Sequence, residues 1–183
     1  MTTETRILDG LREFDRWNQQ AILAVFALFG IPGSYADFGC GTGAMVRAAR
    51  GLGVDAIGVD LDPGPDMVTW DLRTHFDAGR TFDLVTSIET AEHIDPDAAG
   101  TFLDTLVRHT SERGIIVFTA APPGQEGHGH VNCQSGQYWR SRFFDRGFDR
   151  DMAMTTALAL VWGYSTGPMM HLPSNLQVMR RYR

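Results

Sequence analysis

The junction from Ser34 to Gly43 constrains this chain most: a short apolar run ends in Asp37, Phe38, Gly39, Cys40, Gly41, Thr42 and Gly43 and passes at once into a helical pattern. A strand, a glycine loop and a helix start are expected there. Glycines at alternate positions let the backbone turn tightly and approach a ligand with no Cβ in the way. The helix that follows offers unpaired N–H groups and the positive end of its dipole. Such a loop suits an anionic or carboxylate-bearing ligand. The spacing Gly39, Gly41, Ala44 also satisfies a loose dinucleotide fingerprint with alanine in third place, so the glycines alone leave a nicotinamide or flavin cofactor open. Asp37 helps to separate the two. A carboxylate at the strand end would repel a pyrophosphate, yet would attract the ammonium of an amino-acid ligand whose own carboxylate lies on the loop. A ligand-free glycine turn is disfavoured, because alternate glycines cost backbone entropy that packing does not return.

That combination fits the methionine part of S-adenosylmethionine, and the run Asp37–Gly43 resembles the first motif of class I S-adenosylmethionine-dependent methyltransferases. The resemblance implies S-adenosylmethionine as cofactor, with Asp37, Gly39, Cys40, Gly41 and Gly43 against it. Strand two is expected at Ala56–Val59, followed by Asp60 and Leu61. An acid about 20 residues after the loop is placed to accept hydrogen bonds from ribose hydroxyls; the alternative is that Asp60 and Asp62 are turn residues before Pro63. Strand three is expected at Met67–Trp70, ending at Asp71 and Leu72. In the family an acid near this point contacts the adenine amino group, and Asp71 is the matching position, although an aspartate capping a helix before Arg73 reads as well.

At 183 residues, 43% hydrophobic and 21% charged, the chain suits one well-cored globular domain spanning 1–183, with an N-terminal helical region at 1–33. A formal charge of -6 provides no basic footprint for a phosphate backbone, so nucleic acid is disfavoured as substrate. Two cysteines, Cys40 and Cys133, are too few for a disulfide framework, and a cytoplasmic setting is expected. The apolar run Ala21–Phe29 is too short to span a bilayer, and no targeting segment is visible. From Arg6 to Phe29, Leu8, Leu11, Phe14, Trp17, Ala21, Val25 and Leu28 recur at helical spacing, which predicts an amphipathic helix packed on the sheet or over the ligand.

Phe82–Ile88 is expected as strand four, apolar enough for the sheet centre, and delivers Ser87, Ile88 and Glu89 to the rim that holds Asp37 and Asp60. Ser87 and Ile88 are assigned to the cofactor. In Glu89-Thr90-Ala91-Glu92-His93, Glu89 and His93 are four apart and would share one face of a helical turn, forming an acid–base pair. Equally, His93 could cap local structure before Asp95 and Pro96. A helix from Asp95 to His109, a strand at Gly114–Thr119, a helix at Gly136–Arg146, a very short strand at Asp149–Arg150, an apolar helix at Met152–Trp162, a loop at Gly163–Pro173 and a last strand at Asn175–Met179 complete the alternation. The excess of apolar residues in Met152–Trp162 hints at deep burial or a subunit contact, so a homodimer is open. Residues 121–134 form a polar, glycine-rich stretch expected to be an active-site loop. Pro123-Gly124-Gln125, Gly129-His130-Val131-Asn132, Gln134, Tyr138 and Trp139 resemble a pattern in small bacterial and phage methyltransferases. His128 and His130 with Glu126 or Glu89 offer a weak metal set, and no metal is expected.

The expected architecture is therefore α/β: a Rossmann-like doubly wound sheet, mostly parallel, with helices on both faces and, as the resemblance implies, an antiparallel last strand. The expected activity is methyl transfer from S-adenosylmethionine to a small-molecule acceptor, a sugar or natural-product hydroxyl, with His130 as first candidate base and His93, braced by Glu89, as second. A nicotinamide-dependent oxidoreductase and a non-catalytic adenosyl-ligand binder are the alternatives.

Overall fold

The computed structural model describes residues 3–164 and 171–182, with side chains described from Glu13 onward. Helix α1 (Thr3–Phe29) leads into strand β1 (Ser34–Phe38), α2 (Ala44–Gly51), β2 (Asp55–Asp60), β3 (Val68–Thr69) and β4 (Phe82–Ser87). A single 3-10 turn at Ala91–His93 precedes α3 (Ala99–Arg108), β5 (Thr110–Phe118), α4 (Gly136–Phe144), β6 (Phe148–Arg150), α5 (Met152–Gly163), the short α6 (Leu172–Asn175) and β7 (Gln177–Arg181).

One seven-stranded sheet runs in the order β3-β2-β1-β4-β5-β7-β6. Strands β1 to β5 pair in parallel, and β7 is antiparallel to both β5 and β6. The antiparallel last strand and the central place of β4 are as expected. Alternation along the strands divides the core between two faces. Ala36 and Phe38 of β1, Val85 of β4 and Phe118 of β5 join Phe102 and Leu106 of α3 and Trp139 and Phe143 of α4. On the other side Tyr35, Leu84 and Val117 meet Trp17 and Ile22 of α1, Val46 of α2, and Leu158 and Trp162 of α5. Strands buried on both faces require near-continuous apolar runs, which is what these segments have.

Several boundaries move. The helix that the glycine loop opens ends at Gly51, and Leu52 beyond it is exposed because the left-handed Gly53 turns the chain away, donating to Arg50 O at 3.0 Å. The helix expected from Asp95 begins at Ala99, since the first turn is used by Ala98 and Ala99 N–H groups reaching back to Asp95 O. Strand β3 is only two residues long, an edge strand with one partner. Within the loop expected at Gly163–Pro173, residues 165–170 lie outside those described, and Leu172 already begins α6. The side chains of Leu8 and Leu11 lie outside them too.

Helix α5 buries Thr155, Leu158 and Trp162 and leaves Met152 and Leu160 on the surface. Trp162 binds α5 to α1: its indole N–H donates to Ala21 O at 3.3 Å, and its ring meets Trp17 edge-on at 5.6 Å. Trp162→Ala should cost about 3–5 kcal/mol in urea unfolding. The double variant with Trp17→Ala should lose less than the sum of the singles, by about 0.5–1.5 kcal/mol, because the edge-on pair is counted in both.

Candidate functional site

A cleft of about 460 Å³ opens at the carboxyl ends of β1, β2 and β4. This is the rim where β1 has β2 on one side and β4 on the other, the point at which the strand order reverses and open α/β sheets take their ligands. Phe14 and Asn18 of α1 close one side, so that helix both packs on the sheet and walls the cleft.

The glycine loop forms its floor. Gly39 N and Cys40 N both donate to Val59 O, at 2.8 and 3.2 Å, which ties the loop to the end of β2. Gly39 has φ +89°, and a Cβ there would lie 2.0 Å from Thr90 Oγ1. Gly41 has φ +49°, and a Cβ on it would meet nothing within 4 Å. The first glycine is thus required by a close approach of the next loop, whereas the second leaves open space in the cleft. Thr42 Oγ1 donates to Asp15 Oδ1 at 2.6 Å, fastening α1 to the loop.

Asp37, the penultimate residue of β1, is only 3% exposed. Thr86 Oγ1 donates to its Oδ1 at 2.6 Å, and Tyr35 Oη lies 2.7 Å from the same threonine oxygen. Because Thr86 gives its proton to the carboxylate, the tyrosine is the donor of the second bond. Burial lifts the Asp37 carboxyl to about 7, against the lowering effect of the Thr86 hydrogen bond and with a further push from the Asp60 charge. Burial likewise pushes the Cys40 thiol up, with Asp37 adding to it. Asp60 accepts from Gly41 N at 2.8 Å and Asp62 N at 3.2 Å, so one carboxylate serves both as turn residue and as cleft wall.

Of the residues assigned to the cofactor, Asp37, Gly39, Cys40, Gly41, Asp60, Leu61, Asp71, Leu72 and Ile88 line the cleft. Gly43 and Ser87, also assigned to the cofactor, stand outside the lining. Gly43 is the left-handed N-cap of α2, and Ser87 is fully buried inside the end of β4; neither is a lining residue. Asp71 is bound by Arg73, whose Nε and Nη2 donate to it at 2.9 and 2.8 Å, and this pair holds its carboxyl below the usual range.

The far end of the cleft is built from Glu89, Thr90, His93 and Ile94. The expected Glu89–His93 pair does not form. Glu89 adopts a left-handed backbone at φ +49°, outside the 3-10 turn that carries His93, and the two side chains face different partners. Glu89 accepts from Gln125 Nε2 at 2.9 Å and lies 3.2 Å from His171 Nε2. His93 Nδ1 is 3.1 Å from Gly129 O. His130, ranked first from the sequence, stands behind His93 with ring centroids 5.0 Å apart and is not a lining residue. Sequence reasoning passed over Glu92, which is wholly buried, and Gln125, His171 and Asn175 as partners of Glu89. Burial lifts the Glu92 carboxyl to about 8, with the Glu89 charge adding to it.

A family profile described as a methyltransferase domain matches residues 12–152, so this chain belongs to the methyltransferase-domain family; its fold is that of the class I S-adenosylmethionine-dependent enzymes. Among solved structures it is similar to DesVI of Streptomyces venezuelae at 15% identity, with 100% of each chain covered and a TM-score of 0.67. It is also similar to the sugar N-methyltransferase KedS8 of a Streptoalloteichus species (16% identity, 92% of this chain and 87% of that one, TM-score 0.64). A third is the 1,6-didemethyltoxoflavin-N1-methyltransferase of Burkholderia thailandensis, solved with 1,6-didemethyltoxoflavin and S-adenosylhomocysteine bound (17% identity, 91% and 79%, TM-score 0.66). A search of curated proteins gives no match. No helix among the described residues is long and apolar enough to cross a membrane.

The two loop glycines should answer differently to alanine. Gly41→Ala should lose only the roughly 1 kcal/mol of left-handed backbone strain, whereas Gly39→Ala must also displace Thr90 and should lose clearly more. Urea unfolding of both variants measures the difference, and equal losses would mean the Gly39–Thr90 approach is absent.

Proposed function

We propose that the cleft binds S-adenosylmethionine and that the protein transfers its methyl group to a hydroxyl of a small-molecule acceptor, such as a sugar or natural product. The observation that carries this reading is the pairing of a buried carboxylate with a glycine loop at one end of a single cleft. Asp37 is held through one oxygen by Thr86 and lines the cleft, where an ammonium would neutralise it. The open space over Gly41 accepts a chain that a Cβ would block. In this reading Asp60 accepts from the ribose and Asp71 from the adenine amino group; both carboxylates line the cleft.

When bound, S-adenosylmethionine supplies an electrophilic methyl carbon. The residues of this chain have the remaining tasks: to hold the acceptor oxygen about 3 Å from that carbon, in line with the departing sulfur, and to manage the hydroxyl proton. Glu89 and His93 stand at the wall where that oxygen would lie, with His130 behind them. Gln125 and His171 steer the Glu89 carboxylate.

The pH dependence of binding follows from Asp37. An ammonium ligand needs the carboxylate ionised, but in the free protein its pKa is raised to about 7. Above pH 7 the site is ready; below it, binding must first expel a proton, and affinity falls about tenfold per pH unit. Affinity for S-adenosylhomocysteine, measured calorimetrically, should therefore be about tenfold weaker at pH 6 than at pH 8, with proton release on binding. Asp37→Asn should bind weakly and without this slope; an unchanged slope would remove Asp37 from the role. At the other end, His130→Ala should abolish turnover in an acceptor screen read by mass spectrometry and keep S-adenosylhomocysteine affinity within about twofold. Equal loss of both would refute that division of labour.

A further inference from the structure

We propose that Glu92, His93 and His130 form a binding site for one divalent transition-metal cation, of the Mn²⁺, Co²⁺ or Zn²⁺ class, at the acceptor end of the cleft. Among the described residues these three offer one donor atom each, all within 4.8 Å of one another. Glu92 is the telling member. It is 0% exposed, and neither carboxylate oxygen has a hydrogen-bond partner among the described residues. A buried carboxylate left without donors is costly; a proton removes that cost when no cation is bound, and a cation can take the proton's place.

The histidines are arranged as ligands commonly are. His130 Nδ1 is 3.1 Å from Gln125 O, and His93 Nδ1 is 3.1 Å from Gly129 O. A carbonyl can only accept, so both rings carry their proton on Nδ1 and keep a lone pair on Nε2, the tautomer that outer carbonyls impose on metal-binding imidazoles. His130 Nε2 lies 4.0 Å from Glu92 Oε1, a gap a shared cation can bridge. A Cβ on Gly127 would come within 2.2 Å of that nitrogen, so glycine there keeps it approachable. Cys133 lies on the other edge of the ring, 3.5 Å from Nδ1, and belongs to the support of the imidazole. Two imidazoles and one carboxylate suit a transition metal better than Mg²⁺ or Ca²⁺, which favour oxygen donors, and leave coordination positions open.

Because His93 lines the cleft, those positions would take an acceptor oxygen and lower the pKa of its hydroxyl, so that the imidazoles act on it through the cation. This role rests on the methyl-transfer reading above; the cation binding does not. The test uses chelator-treated protein, with Zn²⁺ followed by calorimetry and Co²⁺ by visible absorption. One equivalent of each should bind. Glu92→Gln and His130→Asn should each weaken binding at least tenfold, while His128→Ala, an exposed residue of the same loop, should change nothing. S-adenosylhomocysteine affinity, measured on every variant, reports whether the fold and cofactor end are intact. No uptake of either ion, or uptake that Glu92→Gln and His130→Asn both leave unaltered, overturns the site; intact S-adenosylhomocysteine binding beside that result leaves the cofactor reading standing. Metal uptake without S-adenosylhomocysteine binding would sink the cofactor reading alone.

Discussion

A carboxylate buried at the end of a central parallel strand is the constraint to which the rest of this molecule answers. Asp37 is nearly lost to solvent, and its cost is moderated by a short chain of donors from the two middle strands, Tyr35 to Thr86 to Asp37. That chain exists only because β1 and β4 are neighbours in register, with Asp37 opposite Thr86. Asp60 stands close enough to raise the Asp37 carboxyl further, and it is held by the backbone of the glycine loop. The two acids and the loop therefore form one electrostatic unit. Left alone it is under-neutralised, and burial with two acids so close keeps the Asp37 carboxyl raised.

The strands that make this unit were readable because they are buried on both faces. Ser34–Phe38 was placed to the residue, and β2 and β4 to within one at either end, since a continuous apolar run flanked by turn residues leaves little choice. Where one face or one edge meets solvent, the signal fades. β5 begins at Thr110 rather than Gly114, because Thr110 pairs with Phe82 across a shift in register that the polar stretch Ser111-Glu112-Arg113 does not advertise. β7 runs to Arg181 rather than Met179: its last residues are exposed arginines held by the β6 edge, so their strand character comes from a partner and not from their own hydropathy.

The same contrast divides the cleft. Its cofactor end draws on residues at successive strand ends, each marked by an acid or glycine after an apolar run, and those positions could be listed from the sequence. Gly43 and Ser87 fall outside the lining because spacing cannot separate a residue facing the cleft from one turned into the backbone cap or the sheet. The acceptor end joins a 3-10 turn to a loop more than thirty residues later and to α6 beyond that. Glu89 reaches Gln125 and His171, and His93 reaches Gly129, through contacts that no local period encodes. The helical spacing of Glu89 and His93 misled because the chain is left-handed at Glu89 and the regular turn starts only at Ala91.

That left-handed residue also explains how the loop 121–134, polar and rich in glycine, has a defined place without any helix or strand of its own. Turning the backbone at Glu89 sends its N–H to Thr119, just past the end of β5, and leaves the Glu92 carbonyl free to accept from both Val131 and Asn132, at 2.8 and 2.9 Å. The loop is thus fastened at its middle by side chains of the turn and at its end by the turn's own backbone. Its near side meets the cofactor end through Thr90, against which only a glycine at position 39 can pass. A shift of the acceptor turn would press on the glycine loop, and a shift of the glycine loop on the turn. The glycine loop and the turn that carries His93 therefore press on each other where Gly39 meets Thr90, and neither end of the cleft can be repacked without the other.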